Sequence, residues 1–189
     1  ARAKDTATAR TMIAPVENAI HERLGEYVWG YDDDTPEQAA GKSLMERGLS
    51  VAVMEMCTGG ALANNITDNP NSVSYFKGGN VAYDGAALKS CGVPGEVMEK
   101  HGVVSQETAN AMAETVRRHL NADVGIAVTG VPGPGEFEGK PLGLAYICVS
   151  NGEKIREMEM RLPPRRVTIK RRVPNQALIE LRRLVEETD

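Results

Sequence analysis

The chain has 189 residues, enough for one domain of ordinary size with an arm, and its 41% hydrophobic and 25% charged content is that of a globular protein in water. A net charge of −4 argues against a broad nucleic-acid surface, and no apolar run reaches the length of a membrane span. Three widely spaced cysteines, Cys57, Cys91 and Cys148, fit neither a disulfide framework nor a zinc pattern. With no visible signal peptide, they point to a reducing cytoplasm. The chain opens on Ala1 rather than Met, which reads as processing or trimming. Aromatics are only 4%, so Ala, Val, Leu, Ile and Met must build the core.

Residues 6–25 predict a helix from the helical spacing of Met12, Ile13, Val16, Ile20 and Leu24, interrupted early by Pro15. Tyr27-Val28-Trp29 reads as a short strand and Asp32-Asp33-Asp34 as an acidic turn. Thr35-Pro36-Glu37 is a helix start, with a capping hydroxyl, a first-turn proline and a carboxylate at the positive end of the dipole. Ser50–Glu55 reads as a buried strand, 59–67 as a helix and 78–83 as a glycine-led strand. Two short helices follow, one ending by Gly92 and one after Pro94. Ser105 caps a helix with Ala109, Met112, Ala113, Val116 and Leu120 on one face. Residues 124–129 make a second core strand, and 130–135 a rigid Gly/Pro loop. Residues 142–150 and 154–160 form two strands joined by an Asn151-Gly152 turn, and 167–187 a helix that Pro174 must kink or restart. Helices alternating with strands, then a late hairpin, predict a three-layer α/β/α sandwich with a mixed sheet.

Three loops stand out: Cys57-Thr58-Gly59-Gly60, the segment around Tyr83-Asp84-Gly85, and Thr129–Gly135. Ligands of open α/β sheets collect beyond the carboxyl ends of strands, and two of these loops directly follow apolar strands. Glycines at a helix start leave backbone N–H groups free to hold an anion or oxyanion. Met56 is the oddity, because an elbow of this kind usually presents a hydroxyl or thiolate. Cys57 is the one obvious nucleophile, although no histidine lies near it in sequence and a small buried apolar role is commoner for a free cysteine. Thr58 reads better as a cap. The basic run Pro163-Pro164-Arg165-Arg166-Val167-Thr168-Ile169-Lys170-Arg171-Arg172 reads first as a solvated helix face, and otherwise as a place for a phosphate or an acidic partner.

Taken together, these motifs resemble the C-terminal domain of the CinA family, whose standalone versions are nicotinamide-nucleotide (NMN) amidohydrolases. The elbow resembles the family's Ala-Glu-Ser-Cys-Thr-Gly-Gly pattern. Asn71–Tyr83, Gly92-Val93-Pro94, His101–Ser105, Thr129–Pro134 and Lys140–Gly143 continue the likeness in order over roughly 36–189. Residues 1–34 look like the end of the preceding domain of a long CinA protein, leaving 35–189 as the CinA C-terminal-like domain. The resemblance implies a metal-free, cofactor-free hydrolysis of the NMN carboxamide by an elbow serine, with a lysine after the tyrosine-bearing strand as its base. Here Met56 holds the serine position and Leu88 the lysine position, with Lys89 one residue late. About 100° of helix rotation separates neighbouring residues.

The resemblance therefore implies no catalytic residue at those two positions. It implies a substrate-binding set of Glu55, Cys57, Thr58, Gly59, Gly60, Tyr83, Thr129, Gly130, Gly133 and Lys140, and no metal site. Gly135-Glu136-Phe137-Glu138-Gly139 departs from the family pattern, and its carboxylates would repel a phosphate. The expected function is a catalytically inactive CinA-like domain, binding a nucleotide-like small molecule or serving as a structural subunit. The family's habit of pairing implies a homo-oligomer, a dimer, or a place in a larger complex. The alternative is an active NMN amidohydrolase in which Cys57 or Thr58 attacks, assisted by Lys89 or Tyr83. Neither nucleic acid nor membrane is expected as a partner.

Overall fold

The computed structural model describes residues 1–187, except the side chain of Glu26. The chain divides into two compact units, Ala1–Thr35 and Pro36–Asp189; the last two residues of the expected 35–189 domain lie outside the described residues.

In the first unit, helix α1 spans Thr6–Leu24. Asp5 caps it by accepting a 2.8 Å hydrogen bond from the Thr8 N–H. Pro15 lies inside the helix without ending it. Its apolar side chains recur as the spacing predicts, but none is buried: Met12, Val16 and Leu24 are all more than half exposed. Tyr27-Val28-Trp29 is not a strand. Gly25–Tyr27 forms a 3₁₀ turn, and none of the described strands includes Val28 or Trp29. The Tyr31 N–H donates to Asp34 Oδ2 (2.9 Å), which closes the acidic turn.

The second unit follows the order α2 (Pro36–Arg47), β1 (Val51–Glu55), α3 (Ala61–Thr67), β2 (Phe76–Val81), α4 (Gly85–Ser90), α5 (Gly95–His101) and α6 (Gln106–His119). It ends with β3 (Val124–Gly130), β4 (Leu144–Ser150), β5 (Ile155–Arg161) and α7 (Arg166–Glu186). The sheet order is β2-β1-β3-β4-β5. The β1–β2 and β1–β3 pairs are parallel, whereas β3–β4 and β4–β5 are antiparallel, so the sheet is mixed.

The period of two along the strands sorts their side chains into two cores. Val51, Val53, Ile126 and Ile147 face α2, α3 and α7, together with Leu44, Leu62, Leu178 and Leu181. Ala52, Met54, Ala127 and Cys148 face the other way, onto Leu88 of α4 and Ala109, Met112 and Val116 of α6. Helices on both faces of one sheet make the expected three-layer sandwich. Small residues set the spacing on the second face. A Cβ on Gly125 would lie 2.1 Å from the Ala113 carbonyl oxygen, so α6 can rest on β3 only because residue 125 is glycine.

Three details differ from the sequence reading. β2 begins two residues early and ends at Val81, because β1 stops at Glu55 and the pairing runs out there. The hairpin loop has four residues, Ser150 pairing with Ile155, and Asn151 Oδ1 accepts from the N–H groups of Glu153 and Lys154. Pro174 neither splits nor ends α7, where it is buried inside one 21-residue helix. Buried neighbours on both sides, Val173 and Ala177, hold that helix against the sheet and outweigh the lost hydrogen bond.

Candidate functional site

The elbow grows directly out of β1. The Met56 N–H donates to the Val128 carbonyl (2.9 Å), which carries the β1–β3 pairing one step past the strand. The chain then turns through Gly59 (φ 61°) and Gly60 (φ 93°), conformations that favour glycine, and enters α3. The fully buried Glu55 carboxylate holds this turn from within. Its Oε2 accepts from the Thr58 hydroxyl (2.6 Å) and from the N–H groups of Gly60 and Leu62 (both 3.0 Å). Its Oε1 accepts from the Ala63 N–H (2.7 Å).

This overturns one sequence reading. The Gly60 N–H and two N–H groups of the first turn of α3 are not waiting for a ligand's anion. Glu55 already supplies the negative charge that a helix start attracts. Glu55 and Thr58 are thus parts of the turn, with their polar atoms paired to each other.

The two positions that define chemistry in the resembled family lie in one apolar cluster. Met56 is 6% exposed and Leu88 fully buried, among Ala82, Val93, Val104 and Met112. The Met56 sulfur lies 3.1 Å from Thr129 Oγ1, which also donates to the Val103 carbonyl (2.9 Å). Cys57 is also buried; burial pushes its thiol up to about 12, against the pull of its own backbone N–H, and the Glu55 charge adds to the rise. Lys89 turns away towards α5, its Nζ and Cε 3.4 Å from where a Cβ on Gly95 would stand.

Outside this buried layer lies a polar one. Tyr83 is 53% exposed, just beyond β2, and its hydroxyl accepts from Arg166 Nη1 (2.8 Å). Arg166 Nη2 donates to the Gly133 carbonyl (2.5 Å). One turn along α7, Lys170 Nζ stands 3.8 Å from where a Cβ on Gly59 would be, as does Tyr83 Cε2. Gly59, Tyr83 and Gly133 therefore converge as expected, with two cations from α7 that the sequence reading assigned to a solvated face. Their spacing of four residues places both on one side of a helix, and that signal was readable. Tyr83 as their partner was not, since it lies 83 residues away from Arg166.

The remaining expected residues sit elsewhere. Gly130 ends β3, where a Cβ would press on the Leu144 carbonyl of β4 at 2.7 Å. Lys140 donates from Nζ to the carbonyls of His101 and Val104. Glu138 accepts from the N–H groups of Val103 (3.1 Å) and Val104 (3.2 Å). The 131–143 loop is thus pinned to residues 101–105, and the Glu138 carboxylate expected to repel a phosphate is aimed at backbone donors instead. Among the described residues, no three His, Cys, Asp or Glu side chains gather where they could hold a metal ion. Nor, among the described residues, is any helix long and apolar enough to cross a membrane.

Comparison with known proteins agrees with this architecture. A Desulforudis audaxviator protein named as competence-damage inducible is 39% identical over 180 residues, covering 94% of this chain and 44% of that protein. A Moorella thermoacetica relative of the same name is 48% identical over 151 residues, 79% of this chain and 36% of that one. The chain thus spans less than half the length of these relatives. Among solved structures, the competence/damage inducible protein CihA of Agrobacterium tumefaciens superposes with a TM-score of 0.72 at 27% identity, over 83% of this chain and 99% of that one. A CinA superfamily protein of Klebsiella pneumoniae shares the fold at a TM-score of 0.77 and 23% identity, over 80% of this chain and 96% of that one. The sequence profile of the CinA C-terminal domain matches residues 33–185, more than half of the chain, and the protein belongs to the CinA family.

Proposed function

We propose that this chain is a CinA C-terminal domain that no longer hydrolyses amides and instead binds a nucleotide-like ligand at the outer layer of the elbow. The observation that carries the proposal is the joint burial of Met56 and Leu88 in one apolar cluster. A thioether has no proton to lose, and leucine cannot accept one. Losing a nucleophile alone costs several orders of magnitude in rate. The nearby replacements fare no better. Cys57, with its thiol near 12, holds almost no thiolate at neutral pH. Thr58 donates its proton to Glu55, and Lys89 faces α5.

The binding half of the proposal rests on Arg166, Lys170 and Tyr83. Two cations and a phenol hydroxyl around an exposed glycine turn suit the phosphate and polar edges of a mononucleotide. The test uses NMN itself. The purified chain should release no ammonia from NMN beyond the uncatalysed rate. NMN should raise the melting temperature, and Arg166→Ala with Lys170→Ala should abolish that rise. Turnover sensitive to Cys57→Ala or Thr58→Ala would sink the inactive reading, and an unchanged melting temperature would remove the binding half.

A further inference from the structure

Several arginines of this chain sit in ion pairs. Arg117 and Arg118 meet Glu114, and Arg156 meets Glu180 and Glu187. In the second half of α7, Arg182 meets Glu186 and Arg183 meets Glu180. The first half of α7 is different. Residues 161–179 hold six basic side chains and no Asp or Glu. Arg166 and Lys170 turn to the elbow, towards Tyr83 and Gly59. Arg165, Arg171 and Arg172 instead line an open groove of about 1000 Å³ with Pro163, Pro164 and Val167. All three are exposed, and none has a carboxylate partner among the described residues.

The shape of the groove limits what it can hold. By helical spacing, Arg172 stands two turns beyond Arg165 and Arg171 one turn beyond Val167, which sets the cations in rows along the helix. At about 1.5 Å per residue, Arg165 and Arg172 are spread over about 10 Å of axis. A single phosphate calls for cations converging on one point, so a longer anion fits better. An extended peptide advances about 3.3 Å per residue, and about five residues reach past both ends of the row. Pro163 and Pro164 add apolar lining, and Val167 is 71% exposed beside the arginines. Guanidinium groups flanked by uncovered apolar surface suit carboxylates that come with an aliphatic side chain. We propose that this groove docks an extended acidic segment of a partner protein, with carboxylates on either side of an aliphatic residue. Nucleic acid is the weaker occupant, because no lining residue is aromatic, so no base could stack there, and the chain carries a net charge of −4. An anion of phosphates alone would leave Pro163, Pro164 and Val167 uncovered.

The test uses the whole chain and a fluorescein-labelled peptide, Glu-Glu-Leu-Glu-Glu, followed by fluorescence anisotropy. The peptide should bind saturably at low salt. Its dissociation constant should rise at least about tenfold when ionic strength goes from about 0.05 to about 0.5 M. Arg171→Glu with Arg172→Glu should weaken binding at least about thirtyfold, and the milder Arg171→Gln with Arg172→Gln about tenfold. Both positions are exposed, and thermal melts check that each variant folds; should the charge reversal unfold the chain, the glutamine pair decides. Glycine in place of the peptide's leucine should weaken binding at least about threefold, and glutamine in place of its glutamates should abolish it. No saturable binding up to about 1 mM peptide overturns the proposal. So does binding that neither groove variant changes, or a glycine peptide that binds as well as the leucine one. Tripolyphosphate or a labelled oligothymidylate that binds more tightly than the peptide, and is lost in the groove variants, assigns the groove to phosphates and overturns it as well.

Discussion

Removing the Glu55 carboxylate is the sharpest test of how the elbow is built. It accepts four hydrogen bonds, three at Oε2 and one at Oε1. Glu55→Ala strands the Thr58 hydroxyl and the Leu62 N–H in buried surroundings, and at about 1–3 kcal/mol per stranded donor these two alone contribute about 2–6 kcal/mol. Water reaches the partly buried Gly60 and Ala63 N–H groups more easily, so the expected loss is about 4 kcal/mol. Glu55→Gln separates charge and shape from acceptor count. The amide oxygen at the Oε2 position keeps three bonds, while the amide nitrogen faces the Ala63 N–H as a second donor. One acceptor is lost, at about 1–2 kcal/mol. Urea unfolding followed by far-ultraviolet circular dichroism measures both variants, with an unchanged slope as the sign that only stability moved. An alanine variant within about 1 kcal/mol of the parent, or a glutamine variant as unstable as alanine, would refute the claim that this carboxylate organises the turn.

Restoring the family's lysine has a cost. Leu88→Lys should lower stability by about 3–5 kcal/mol in thermal or urea unfolding, because an ammonium enters a cluster that offers it no carboxylate. Thiol labelling near pH 8 should modify Cys91 quickly and leave Cys57 and Cys148 protected until unfolding, since burial pushes both of those thiols up to about 12 and only Cys91 is partly exposed. Acid should destabilise the fold partly through Asp123, which the Ser50 hydroxyl, foremost, holds below its ordinary 3.8. The unfolded chain then binds more protons than the folded one, so stability present above about pH 4 is lost as pH falls through the folded value. Ser50→Ala should flatten that loss in melting temperatures measured between pH 5 and pH 2, and an unaltered slope would remove Asp123 from the account.

The layered fold was legible because burial leaves a strong mark on sequence. β3 is buried along its whole length and reads as a run without charge, apolar from Val124 to Val128. β5 alternates between exposed and partly covered residues, and α6 carries a clean stripe. The misreadings share a cause. Tyr27-Val28-Trp29 has strand-forming residues but begins in a 3₁₀ turn and lies outside the described strands, and strand pairing is tertiary information. Pro174 is a breaker in isolation, yet packing decides its place in α7. The elbow was visible from Gly59-Gly60, but its occupant was not. The glutamate five residues before Gly60 looked like a pocket residue, and only its four donors reveal an internal cap. Arg166 and Lys170 showed helical spacing, while their partners Tyr83, Gly133 and Gly59 come from distant segments.

On the proposed inactive reading, Met56 and Leu88 act as one unit rather than two. In a working amidase both positions must carry polar groups, and a neutral amine must lie beside a hydroxyl in a desolvated site. That arrangement is held against the packing tendency of the surrounding Ala82, Val93, Val104 and Met112. Once either group is lost, the other becomes a buried polar side chain without a partner, which costs stability and gains nothing in rate. Methionine fits such a gap because its thioether is flexible and accepts the weak contact from Thr129. Leucine completes the apolar wall of α4. Glu55, Gly59 and Gly60 answer to a different demand, since they shape the chain between β1 and α3 whether or not any reaction follows. On the proposed inactive reading, the elbow has its form from these residues, while positions 56 and 88 serve the apolar core.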